Sequence, residues 1–270
     1  MINNEYCLIF GGAGSIGSEL VRQLALNNKV YVFDLDETRM YDLVEELGIE
    51  GRVGNVEDYD QVKEAFEEFK PTLVFMAAAR KHVTPSEQKP IEAIRTNILG
   101  TYNVIKACKK YPPARLINIS TDKVVNARGI MGATKGVAEI MVRNAGYISV
   151  RFGNVMASRG SVLEIWQRQI DKGEALTVTD ENMTRYFMSI PEACELLIKA
   201  AEVGEPGQIL IMNMGDKVNI LQLAKDIIGK AGKGLAIEMI GLRPGEALTE
   251  SLMTVEEEKR AVRKDNFLII

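Results

Sequence analysis

The sequence predicts an α/β fold: a parallel, doubly wound sheet with helices on both faces, followed by a smaller C-terminal lobe. Three observations predict it. Apolar runs of strand length alternate with segments of helical spacing as far as residue 153. Those runs are apolar at nearly every position, as expected of strands covered on both faces. The first of them ends in a glycine-rich turn, Gly11-Gly12-Ala13-Gly14-Ser15-Ile16-Gly17, that opens a helix.

The elements follow in order. Residues 6–11 form the first strand, and 15–27 a helix with Ile16, Leu20 and Leu24 on one face. Residues 30–34 are a second strand and 37–47 a second helix. A short third strand is expected at 52–54. The helix at 58–69 turns Val62, Phe66 and Phe69 inward, and Pro71 stops it. The fourth strand spans 72–77. A long helix at 91–110 is ended by Pro112-Pro113. A fifth strand at 115–120, a helix at 131–144 and a sixth strand at 148–152 complete the alternation. Beyond 153 the rhythm loosens. Residues 162–172, 191–203 and 219–231 read as helices, and 176–179, 208–212 and 235–240 as short strands. We therefore expect a dinucleotide-binding core at 1–153. Residues 154–270 are expected to be mostly a substrate-binding lobe within one integrated unit. The lobe would close over the carboxyl edge of the sheet, where open α/β sheets bind ligands.

Composition sets bounds. A chain of 270 residues, 46% hydrophobic and 26% charged, can bury a sizeable core. Its net charge of −4 gives no overall electrostatic footprint for nucleic acid. Cys7, Cys108 and Cys194 are isolated, as in a protein of a reducing compartment. The single histidine, His82, excludes a histidine-rich metal site, so no metal is expected, and the residue reads as structural. No apolar run reaches the length of a membrane span, and the first residues carry no basic leader. The expectation is a soluble, cytoplasmic protein.

The glycine turn points to a cofactor. Gly11 permits a tight turn, Gly14 keeps side chains away from a pyrophosphate, and Gly17 lets helix and strand pack closely. The helix start at Ser15 and Ile16 faces the phosphates with unpaired N–H groups and a positive partial charge. Asp34 ends the second strand. Its carboxylate suits the hydroxyls of an adenosine ribose and repels a 2′-phosphate, which favours NAD over NADP. Asp34 or Asp36 can also cap the following helix, and the two acids can divide these roles. Asn55 and Val56 are placed to border the adenine. Ala77, Ala78 and Ala79 supply the small side chains that close approach requires. This is a Rossmann-like arrangement.

The chemistry-bearing stretch is Ser120-Thr121-Asp122-Lys123, followed by Met131-Gly132-Ala133-Thr134-Lys135. It sets an acid beside a base, just before a helix with a second lysine. Adjacent residues of a regular strand face opposite ways. Asp122 and Lys123 therefore converge only if the chain leaves the strand near Thr121. Otherwise the Thr-Asp pair caps a turn and the lysine faces solvent.

Taken with Ala77-Ala78-Ala79-Arg80-Lys81-His82-Val83, Arg151-Phe152-Gly153-Asn154-Val155, Ser158-Arg159-Gly160-Ser161-Val162, Met183-Thr184-Arg185-Tyr186-Phe187 and Arg243-Pro244-Gly245-Glu246, these motifs mark a resemblance. The chain resembles the extended short-chain dehydrogenase/reductases and, more narrowly, the UDP-sugar 4,6-dehydratases of polysaccharide biosynthesis. The likeness runs over nearly the whole chain. Many relatives carry N-terminal membrane helices and a further domain, so the expected match is to their catalytic portion or to a stand-alone form.

The resemblance implies an internal redox dehydration of a UDP-HexNAc such as UDP-GlcNAc. NAD takes a hydride from the sugar C4, a base removes the C5 proton, an acid protonates the departing C6 hydroxyl, and the hydride returns to C6. The product is a UDP-4-keto-6-deoxy sugar, with or without inversion at C5. Lys123 is assigned as the C5 base and Asp122 as the acid, which requires the lysine neutral and the aspartate protonated. The superfamily's lysine that binds the nicotinamide ribose corresponds to Lys135. The tyrosine usual four residues before it is replaced by Met131, whose thioether cannot exchange a proton. Thr121 is the candidate to contact the C4 hydroxyl, relaying through the ribose, Asp122 or water.

For the substrate, Arg185 and Arg243 are forks suited to a pyrophosphate, although a lone arginine more commonly makes a surface ion pair. Asn154 can bond a phosphate or the sugar, and Ser161 can contact the nucleotide where its helix begins. Lys81 and Asn97 border the sugar site by resemblance. Two other readings remain open: a UDP-sugar 4-epimerase, which needs no C5/C6 acid–base pair, and an NAD-binding sensor without catalysis. A homo-oligomer is expected, with helices 91–110 and 131–144 as its faces by analogy with the superfamily.

Overall fold

The computed structural model describes residues 2–112 and 114–270. The first half alternates as the periodicity predicts: β1 (Tyr6–Phe10), α1 (Ser15–Ala25), β2 (Lys29–Asp34), α2 (Glu37–Leu47), β3 (Glu50–Val53), α3 (Tyr59–Phe69) and β4 (Leu73–Met76). Next come α4 (Val83–Gln88), α5 (Pro90–Ile94), a π turn at Arg95–Gly100 and α6 (Thr101–Lys110). The chain continues through β5 (Arg115–Ile119), a single 3₁₀ turn at Asp122–Val124, α7 (Ile130–Asn144), β6 (Ile148–Arg151) and β7 (Asn154–Val155). The remainder comprises α8 (Val162–Lys172), β8 (Leu176–Val178), β9 (Thr184–Arg185), β10 (Phe187–Met188), α9 (Ile190–Val203) and β11 (Ile209–Met212). It ends with β12 (Val218–Asn219), α10 (Ile220–Ala231), β13 (Ile237–Met239), α11 (Val255–Glu258), β14 (Val262–Lys264) and β15 (Phe267–Ile269).

The large sheet has the order β14-β15-β11-β6-β5-β4-β1-β2-β3. All neighbours from β3 to β11 are parallel, and the β14–β15 hairpin adds an antiparallel edge. Strand order reverses between β1 and β4, which opens a crevice at their carboxyl ends. Alternation along each strand feeds two cores. Cys7 and Ile9 of β1 join the core under α1, α2 and α9, whereas Leu8 and Phe10 join the one under α3 and α6. Both faces are covered, which is why the strands read as continuous apolar runs.

Residues beyond 153 divide between two places. Helices α8 and α10 with β8 and β13 enclose a separate small core around Trp166, Ile170, Leu176, Val178 and Ile220. Strand β11 instead pairs with β6, and α9 packs on α1, so these extend the main sheet. All four residues of β11 are buried, and only the covered interior of the large sheet can bury both sides of a strand.

Three local features depart from the periodicity. Helix α4 was not among the expected elements; its Pro85 sits in the first turn, where its missing N–H is no loss. The expected helix at 91–110 is helical throughout, with a π turn at its centre. Its expected stop involves Pro113, which lies outside the described residues. The strand expected at 52–54 begins at Glu50 and forms a largely exposed edge, so burial left little pattern there. No helix among the described residues is long and apolar enough to cross a membrane.

Candidate active site

A cleft of about 960 Å³ lies at the carboxyl ends of β1, β4, β5 and β6, beneath the small lobe. Its floor is the glycine turn. Gly11 has φ +77°, and a Cβ there would stand 2.5 Å from the Ala78 nitrogen. At Gly17 a Cβ would come within 2.1 Å of the Gly11 carbonyl oxygen, so α1 can pack on the turn only without a side chain. Gly14 caps α1 without a side-chain bond, and no acid occupies the helix's first turn. The helix N-terminus is thus left open to an anionic group. Gly11, Gly14, Ser15, Ile16 and Gly17 all line the cleft, as do Ala77 and Ala79. Ala78 packs toward the core instead.

Asp34 and Asp36 divide their roles. Asp36 caps α2 by accepting from the Arg39 amide at 3.2 Å. Asp34 accepts from the Ala13 amide at 2.8 Å through one oxygen and from the Asp36 amide at 2.9 Å through the other. A carboxylate has about four acceptor sites, so capacity remains for ribose hydroxyls. Asn55 and Val56 are not brought into the cleft. The Asn55 side chain accepts from the Glu57 amide, and Val56 is buried against Gly100. The cradle fits a dinucleotide: an open helix N-terminus, glycines at close approaches, a carboxylate at the end of β2, and Lys135. That lysine is 6% exposed, lines the cleft and has no hydrogen-bond partner for its amine among the described residues. Burial pushes its pKa down to about 8, opposed by nearby Glu139.

Arg159 was not singled out from sequence. It lies over the glycine turn, donating from its guanidinium to the Ala13 carbonyl and from its backbone N–H to Ser15 Oγ at 3.1 Å. A guanidinium beside a bare helix N-terminus concentrates positive charge where a pyrophosphate would sit. Its sequence signal was its place in the Ser158-Arg159-Gly160-Ser161-Val162 motif before α8.

The acid–base cluster sits at the end of β5. The chain leaves the strand after Ile119, and Thr121 accepts from the Lys123 amide at 3.4 Å to cap the 3₁₀ turn. That turn brings the neighbours together: Lys123 Nζ donates to Asp122 Oδ1 and to Asn154 Oδ1, each at 2.9 Å. Thr121 also donates to Asp122 Oδ1, at 3.0 Å. The backbone of the turn is fixed from behind, since a Cβ on Gly132 of α7 would lie 2.2 Å from the Lys123 carbonyl oxygen. Thr121, Lys123, Met131 and Asn154 line the cleft. Asp122 does not. It is fully buried, and its Oδ2 has no partner among the described residues and faces the backbone of Gly153.

The expected substrate residues divide similarly. Arg243 is exposed at the cleft and makes no ion pair among the described residues. Ser161 lines the cleft with a buried Oγ that has no partner among the described residues. Lys81 reaches Ser158 Oγ at 3.3 Å on the opposite rim. Asn97 does not face the cleft. It lies in the π turn, 1% exposed, and spends its amide on the Arg80 backbone and Thr134. Arg185 lines the cleft but is no free fork, because its donors go to the carbonyls of Thr184, Ala247 and Leu248. Beside it stands Glu250, 7% exposed, lining the cleft and also missed from sequence.

The family profile described as "Polysaccharide biosynthesis protein" matches residues 7–270. The capsular polysaccharide biosynthesis protein CapD of Staphylococcus aureus is 40% identical over 95% of this chain. The chain spans less than half of that protein, 46% of its length. The X-ray structure of Pen from Bacillus thuringiensis superposes with a TM-score of 0.94 at 35% identity, covering 99% of this chain and 89% of that one. The UDP-glucose 4-epimerase of Thermus thermophilus in complex with NAD superposes with a TM-score of 0.82 at 25% identity, covering 93% and 91%.

Proposed function

Because the chain belongs to the polysaccharide biosynthesis protein family of extended short-chain dehydrogenase/reductases, we propose that it is a UDP-sugar 4,6-dehydratase. In this reading it converts a UDP-HexNAc, such as UDP-GlcNAc, to the 4-keto-6-deoxy sugar with NAD as its resident cofactor. The observation that carries the reading is the convergence of Thr121, Lys123 and Asn154 at one cleft wall that also holds Lys135 and Met131. When bound, the nicotinamide supplies a reversible hydride acceptor for C4 and donor for C6.

The residues then have distinct tasks. Lys135 is the buried donor for the ribose of the cofactor. Lys123, held between Asp122 and Asn154, removes the proton at C5 once C4 is a ketone. Asp122 lies behind the wall and orients that amine. Thr121 stands nearest the C4 hydroxyl in place of the missing tyrosine, and Arg243 and Ser161 grip the diphosphate and nucleotide. Asp34 favours NAD, since a 2′-phosphate would meet its carboxylate.

A UDP-sugar 4-epimerase is the second reading. It is favoured by the likeness to the Thermus enzyme. Epimerisation uses only C4 chemistry and leaves the Lys123 cluster without a task. Incubation with UDP-GlcNAc separates the two: dehydration removes the mass of one water, whereas epimerisation keeps the mass and changes the configuration at C4.

A further inference from the structure

The nucleotide-sugar is gripped at one place and reacts at another. Arg243 takes the diphosphate from the turn Arg243-Pro244-Gly245-Glu246, whereas Lys123 meets the sugar at the end of β5. A misplacement of about 1 Å at the reacting atoms costs on the order of 10²-fold in rate. A turn in a loop holds such a span only if it is fixed to the rigid elements behind the reacting group.

The turn first closes on itself. The Arg243 amide donates to the Glu246 carboxylate at 3.0 Å, and the Glu246 N–H donates to the Arg243 carbonyl at 3.1 Å. Glu87 of α4 then ties it to α7. Its Oε1 accepts from the backbone N–H of Ile130, the first residue of α7, at 2.5 Å. The same oxygen lies against two glycines. A Cβ on Gly129 would stand 2.5 Å from Glu87 Oε1 and 3.0 Å from the Gly245 Cα. A Cβ on Gly245, where φ is +80°, would stand 3.0 Å from Oε1 and 3.0 Å from Val83 Cγ1. Helix α4, the start of α7 and the turn thus interlock around one carboxylate oxygen, and glycine alone allows the approach.

Helix α7 lacks this acid within its own sequence. Gly129 gives it no side-chain cap, and no acid stands in its first turn. A carboxylate from another element satisfies one of its free N–H groups and complements its positive end. That first turn also carries Met131 on the cleft wall and Gly132, whose missing side chain seats the Lys123 carbonyl. Contacts therefore run from Gly245 through Glu87 and Ile130 to the backbone of Lys123. Glu87 itself does not line the cleft. We propose that Glu87 is a positioning residue that sets the span between the diphosphate grip and the C5 base.

The proposal rests on the dehydratase reading, so its test runs with wild type alongside. Protein holding NAD is given UDP-GlcNAc, and kcat and KM for loss of one water are measured per NAD-loaded molecule. NAD affinity is measured by calorimetry on the same preparations. Glu87→Ala should lower kcat about 10–10²-fold, while KM and NAD affinity change by less than about threefold, because alignment is lost and the grip is kept. Glu87→Gln retains the volume and an acceptor for Ile130, and it should recover most of the rate. Gly245→Ala presses on the same oxygen from the turn and should likewise lower kcat with NAD affinity unchanged, which keeps the test open if Glu87→Ala does not fold. Three results overturn the proposal: wild-type turnover in Glu87→Ala, a loss of turnover matched by an equal loss of NAD affinity, or a Glu87→Gln protein no faster than Glu87→Ala. A wild-type protein that holds NAD and never releases water removes the dehydratase reading, and the proposal with it.

Discussion

Lys135 buries an amino group with no hydrogen-bond partner among the described residues, and that has a measurable cost. Its pKa falls from 10.5 to about 8, equivalent to roughly 3 kcal/mol against the charged form. The sign follows from linkage. Between about pH 8 and 10.5 the unfolded chain holds the proton and the folded chain does not, so stability rises with pH across that window. Below it the penalty is fully present. Lys135→Met should therefore stabilise the cofactor-free protein at neutral pH, with an advantage that shrinks as pH rises through the window, while NAD binding weakens. Thermal unfolding across pH and titration calorimetry check both halves. Arg159→Ala should weaken NAD by about tenfold or more, because it removes charge-assisted donors from the open end of α1. Unchanged affinity in that variant would place the guanidinium outside the pyrophosphate site.

Elements explain why some of this could be read from the chain and some could not. The glycine turn was legible because its requirement is local: a Cβ at Gly11 or Gly17 collides with backbone a few residues away or directly across. Asp122 and Lys123 could be paired only conditionally, since the outcome depended on where β5 ends. Nothing local reveals that the same turn hides Asp122 and leaves Lys123 exposed to the cleft. Arg185 was singled out from sequence, but the carbonyls that occupy it, and Glu250 beside it, could not be read because the two segments meet across a bridge spanning 65 residues of chain. Strands of two residues, such as β7, β9, β10 and β12, are too short to show a period. The helix α7 makes a sharper prediction. Gly132→Ala drives a methyl into the Lys123 carbonyl, costing about 1–3 kcal/mol and displacing the turn. Dehydration should fall more than NAD binding does, measured on the same preparation.

At the scale of the molecule, the C-terminal segment is tied to the catalytic strands by charge. Arg151 at the end of β6 is 2% exposed and pairs with Glu139 of α7 and Glu257 of α11, while Ser120 donates to Glu139 at 2.6 Å. Removing one partner leaves a buried charge, so Arg151→Leu should destabilise the fold by about 3–5 kcal/mol in denaturant titration. The outer faces of α5, α6 and α7 expose Ile91, Ile94, Tyr102, Val137 and Ile140. We propose that this apolar surface is the contact face of a homo-oligomer. Ile140→Glu should then yield monomers in sedimentation. The central claim is that Lys123 abstracts the C5 proton in a water-losing reaction. The most direct measurement is the mass of UDP-GlcNAc after incubation with wild-type and Lys123→Met protein, each holding NAD. The account predicts that wild type removes one water and that the variant keeps its cofactor without doing so. A variant that dehydrates as fast as wild type would contradict it, as would a wild-type product of unchanged mass.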